Sequence, residues 1–266
     1  MGGRPRPGGA GCGVADRAGA GRRVLIMLVA AAVCPCPPLL VPEVASGAAP
    51  ELEGLRTACA EALAELAAAR PDRLWVVGPT DQGDTGRDRF RRGAVGSFRR
   101  FGVDRTVRLG QGREPGADGD GELTTSVAVG AWLLEQAGWA GPCEARCVRP
   151  DERPEECLRI GAELAAAAPR TALLVLGDGS ACRSLKAPGY LDERAEPFDA
   201  SVAAALLAAD TKALAALDPA LAAELQAGGR AAWQVLAGAA EEAGLGGRLL
   251  CDEAPYGVGY FVASWS

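Results

Sequence analysis

Ten consecutive apolar residues, "VLIMLVAAAV" from Val24 to Val33, run directly into the proline-rich corner "CPCPPLLVPEV". A segment that is apolar at every position has no wet face, so as a strand it belongs in the middle of a covered sheet. It is far below the ~20 residues of a membrane-spanning helix. Arg22 and Arg23 give it the look of a twin-arginine signal. However, Val33 stands where cleavage needs a small residue, and a buried first strand is predicted instead. Residues 1–22 are Gly, Pro and Arg low complexity, expected to form a disordered tail, with Met27 an alternative start. One domain is expected over 24–265.

Downstream, strand-like and helix-like patterns alternate. Leu52, Leu55, Cys59, Leu63 and Leu66 recur at helical spacing between Pro50 and Arg70. "RLWVV" (73–77) reads as a strand, and residues 78–121, polar and glycine-rich, as a flap or a small hairpin. A helix is predicted over 122–138, a strand over 144–148, and a helix with Cys157, Ile160 and Leu164 on one face. "TALLVLGDGS" (171–180) reads as a strand and its loop; helices follow over most of 196–244, then two strands about a turn in "RLLCDEAPYGVGYFVASW". This order predicts an α/β fold: a single domain whose central, mostly parallel sheet is flanked by helices.

Composition narrows the function classes. The net charge of -6 argues against nucleic acid as a partner. The local exception is "RDRFRRGAVGSFRRFGVDR" (87–105), seven arginines interleaved with Phe90, Phe98 and Phe101; it is read as a solvated segment whose phenylalanines enter the core. Nine cysteines, an odd number in a chain too long to need staples, predict reduced thiols and a cytoplasmic location, and the shortness of the apolar run predicts no membrane association. "CEARC" (143–147) with Cys157 hints at a metal cluster but lacks a fourth ligand at zinc spacing. The chain contains no histidine.

Ligands of parallel sheets sit at loops leaving the strands' carboxyl ends. Those loops hold Cys34, Cys36, Thr80, Asp81, Asp178, Ser180, Cys182, Asp252 and Glu253. "GDGS" lacks the lysine and spacing of a P-loop and is equally well a tight turn capped by Asp178. Cys36 lacks the histidine base that a thiol nucleophile ordinarily uses. Asp178 and Glu253 are candidates for acid and base work.

"PCPPLLVPEV", "GDGSACR", "FDASVAAALLAAD" and "DEAPYGVGYFVAS" resemble, in order and spacing, the catalytic-subunit family of class III extradiol ring-cleaving dioxygenases, the protocatechuate 4,5-dioxygenase type, with which Memo-like proteins share a fold. The resemblance covers about residues 24–265 and is most specific at Glu253–Tyr260. It implies a single α/β domain and a non-haem Fe(II) held by two histidines and a glutamate, with a further histidine moving protons. The implied positions are Cys36 and Thr80 for the histidine ligands, Ala181 for the catalytic histidine, and Glu253 for the carboxylate. Only the glutamate is present.

The expectation is therefore a degenerate dioxygenase-like protein, without ring cleavage, that keeps a small-ligand pocket formed by Cys36, Thr80, Asp81, Asp178, Ser180 and Glu253. No cofactor is expected. The alternative is an enzyme using a divalent metal, Fe or Zn, at Cys36 and Glu253, or a thiol, on a small aromatic substrate. A homo-oligomer is compatible with either. Glu253 is expected to be partly buried and paired with Arg183 or with a hydroxyl of Thr80 or Ser180.

Overall fold

The computed structural model describes residues 1–3, 27–81, 87–112 and 121–266. Most of the expected tail, and Val24 to Ile26 of the first apolar run, lie outside the described residues.

The run begins strand β1 (Met27–Cys34), and the prolines behind it set a chain of short turns: a 3-10 turn at Pro38–Leu40, helix α1 (Pro42–Ala45) and a 3-10 stretch at Ser46–Leu52. Proline at the first helical position loses no hydrogen bond, which is why Pro38 and Pro42 each start a turn. Helix α2 (Glu53–Ala68) follows, later than the helix expected from Pro50, because Pro50 sits in the 3-10 stretch. Next come β2 (Arg73–Pro79), β3 (Arg89–Phe90), and a hairpin of β4 (Val95–Ser97) with β5 (Thr106–Arg108). The hairpin was one of the two alternatives expected for 78–121. Helix α3 (Thr125–Gln136) is capped by the Thr124 side chain, which accepts from the Val127 N–H.

The second half supplies β6 (Cys143–Val148), α4 (Pro154–Ala165), β7 (Arg170–Leu176), α5 (Ala195–Ala208), α6 (Thr211–Ala215), α7 (Pro219–Glu224), α8 (Arg230–Ala240), β8 (Gly247–Glu253) and β9 (Tyr260–Trp265). Asp210 and Asp218 cap α6 and α7, dividing the long helical region. The main sheet has the order β3-β6-β2-β7-β1-β9-β8. Strands β6, β2, β7 and β1 are parallel; β3 and β9 run against them, and β8, antiparallel to β9, runs with β1.

Side-chain parity divides two cores. Ala32, Cys34, Val76, Leu174, Tyr260 and Val262 face α2 and α3; Ala31, Val33, Trp75, Val77, Leu173 and Phe261 face the helices of the second half. On that second face α4 and α8 touch closely enough that a Cβ on Gly161 would stand 2.0 Å from the Val235 carbonyl oxygen. Phe90 and Phe98 are buried as expected. Arginines of the same segment pair with acids, Arg99 with Asp104, Arg100 with Asp81 and Arg105 with Glu135.

The "CEARC" hint does not survive the fold. Cys143 and Cys147 lie on one strand, about 13 Å apart at the rise of an extended chain, and Cys157 belongs to the core on the other face. Among the described residues no cysteine is in a disulfide, and no helix is long and apolar enough to cross a membrane.

Candidate functional site

The common direction of β1, β2, β6, β7 and β8 brings the loops holding Cys36, Thr80, Asp178 and Glu253 to one end of the sheet. Continuing the β1–β9 register, in which Ala31 pairs with Trp265 and Val33 with Ala263, sets Cys36 level with Tyr260; Tyr260 pairs in turn with Glu253. Cys36 and Tyr260 also share the face covered by α2 and α3.

The innermost group is Cys36, Asp178 and Tyr260. Asp178 does not cap its own turn: its Oδ1 accepts the Cys36 backbone N–H at 2.8 Å, binding the loop after β7 to the corner after β1. Burial pushes its carboxyl up to about 6, opposed only by that hydrogen bond. The Cys36 thiol is driven well above its ordinary range by burial first, then by the negative charges of Asp178 and Asp81. Tyr260 is 3% exposed. Burial and the neighbouring Asp178, Tyr256 and Cys36 raise its hydroxyl.

Glu253 corrects an expectation. It is exposed, on the edge strand β8, and has neither of the partners foreseen for it. Arg183 instead donates to Asp199 Oδ2 at 3.1 Å, and Ser180 gives its backbone N–H to Asp199 Oδ1 at 2.8 Å and its hydroxyl to Oδ2 at 2.7 Å. The buried, partnered carboxylate is thus Asp199, on α5. The sequence signal for it is an acid between Phe198 and Val202 on a buried helix face. Asp199 also explains a glycine: a Cβ on Gly259 would lie 2.6 Å from its Oδ2. Through these contacts the β7 loop, α5 and the β8–β9 turn are locked together, and the Arg183 N–H to the Gly257 oxygen at 2.9 Å completes the knot.

Asp81 stands on the β2 side. It accepts from the Thr125 N–H at the start of α3 and pairs with Arg100. A cleft of about 410 Å³ opens there, bounded by Asp81, Ser97, Arg100, Glu122 and Thr124. Thr80 is half-buried and gives its N–H to the Val148 oxygen. Residues 82–86 of this loop lie outside the described residues. Ala181, at the implied proton-transfer position, is buried and offers only a methyl group.

The implied iron site can be judged on its donors. The four positions hold a thiol kept protonated by burial, a neutral hydroxyl, a methyl and one exposed carboxylate. Fe(II) in an open facial site needs imidazole and carboxylate donors, and this set does not fit it. Among the described residues no three Cys, Asp or Glu side chains are arranged to hold a metal ion.

No family model matches the chain, and no curated protein matches it. Among solved structures, the crystal structure of uncharacterized protein JW3007 from Escherichia coli K12 aligns with a TM-score of 0.52 and 11% identity, over 90% of this chain and 100% of that one. What that likeness shows is the fold: a mixed α/β chain with a mostly parallel central sheet flanked by helices.

Proposed function

We propose that this chain is a degenerate relative of the class III extradiol dioxygenases that binds a small molecule at the carboxyl end of its sheet and does not cleave aromatic rings. The observation that carries the reading is Asp178. An acid pushed up to about 6 by burial, whose carboxyl accepts one backbone N–H among the described residues, costs the fold stability. Acids held at such a cost are characteristic of ligand and catalytic sites.

The order of the four sequence motifs, and the position of Cys36, Asp178 and Tyr260 where parallel sheets receive ligands, support the same reading. The thiol-dependent alternative is disfavoured by Cys36 itself. Reactive cysteines have depressed pKa values beside positive groups, whereas this thiol is raised and faces two acids.

Metal content tests the proposal. Protein purified without chelators is expected to contain substoichiometric metal, with no divalent ion shifting its melting temperature specifically. One tightly held ion per chain, lost on Cys36→Ser, would favour the metal-dependent enzyme instead.

A further inference from the structure

The site is acidic and aromatic, and among the described residues no cation pairs with Asp178. Asp178 uses one oxygen on the Cys36 N–H, and its other oxygen has no partner among the described residues. Beside it Tyr260 is 3% exposed as a residue, and its hydroxyl oxygen, which is not sealed from solvent, has no hydrogen bond among the described residues. Further out, the Tyr256 hydroxyl donates to Glu51 at 3.0 Å, and Glu253 and Asp252 lie on the same edge strand.

Among the described residues none of Glu51, Asp178, Asp252 and Glu253 forms an ion pair within 4.0 Å. Two nearby basic side chains are engaged elsewhere, Arg183 by Asp199 and Glu196 and Arg56 by Glu53.

We infer that the ligand of this site is a small organic cation, a protonated amine, seated between the free oxygen of Asp178 and Tyr260. This rests on the reading of the sheet end as a ligand site. An ammonium group has three N–H donors and no acceptor, so it complements what is open here: a carboxylate oxygen and a phenol oxygen that lacks a donor. The tyrosine rings favour positive charge over their faces, and the outer acids raise the local concentration of cations. A carboxylate or phosphate ligand would meet uncompensated negative charge. A bare divalent ion would lack donors, since no set of three converges among the described residues.

The test is calorimetric titration of the full chain at pH 7.5 with benzylamine, benzyl alcohol and benzoate, which share a ring and differ in charge. Benzylammonium is expected to bind about tenfold or more tightly than the alcohol, with benzoate weakest. Asp178→Asn should weaken benzylammonium by about tenfold or more, and Tyr260→Phe, which removes one oxygen, by about threefold to tenfold. Should Asp178→Asn fail to fold, Tyr260→Phe decides alone.

Equal or tighter binding of the alcohol or benzoate overturns the inference and leaves the ligand site standing. Benzylammonium binding that neither variant weakens also overturns it. No saturable binding by any of the three probes removes both the inference and the ligand-site reading.

Discussion

Replacing Asp199 by alanine should unravel the end of the sheet, and its cost can be worked from the contacts. The carboxylate accepts two hydrogen bonds from buried Ser180 and one from Arg183, at 2.8, 2.7 and 3.1 Å. Hydrogen bonds to a charged acceptor contribute about 1.5–3 kcal/mol each. Arg183 is 24% exposed and can return to water, so its share is discounted. The carboxylate's own burial, which raises its pKa, is relieved by the substitution. The net loss is expected at about 3–5 kcal/mol. That corresponds to roughly 6–15 °C in Tm for a domain of this size. Urea unfolding followed by tryptophan fluorescence measures it directly. Ser180→Ala should cost about 1.5–3 kcal/mol in the wild type and much less in the Asp199→Ala background, since the two share their bonds. An Asp199→Ala protein within about 1 kcal/mol of wild type would refute the knot.

Three further outcomes are expected. Asp178 binds its proton more tightly in the folded chain, about 6 against an ordinary 3.8, so stability should fall as pH rises from about 4 to about 6 and then level off; Asp178→Asn, which keeps an acceptor for the Cys36 N–H, should lose that slope and be about 3 kcal/mol more stable than wild type at pH 7.5. Gly161→Ala should cost about 1–3 kcal/mol in urea unfolding, because its Cβ would overlap the Val235 carbonyl and force α4 from α8. Cys36 should react with iodoacetamide at pH 8 far more slowly in native protein than in urea, as read by peptide mass mapping, because its raised pKa leaves almost no thiolate.

The sheet was legible because its signal is local. Continuous apolar runs at Met27–Cys34 and over 172–176, and the helical spacing of Leu55, Cys59 and Leu63, each specify one element, and strand direction then fixes which loops meet. The loops' convergence followed, and so did the separation of Phe90 and Phe98 from solvent. What failed was pairing. Nothing local told Arg183 to choose Asp199 over Glu253, since that choice depends on α5 packing beneath the β7 loop. The exposure of Glu253 follows from β8 being the edge strand, a fact of sheet order that the turn sequence does not encode. Tyr260 belongs to the most specific motif, yet its burial beside Asp178 was not foreseen, because a tyrosine in a terminal strand reads equally well as facing water.

Oxygen consumption is the most direct measurement of the central claim. Full-length protein with added Fe(II), offered protocatechuate and simple catechols, is predicted to show no uptake above the Fe(II) and catechol background, because Cys36, Thr80 and Ala181 stand where imidazoles would be required. Sustained uptake that yields a ring-opened product and disappears in Glu253→Ala would contradict it.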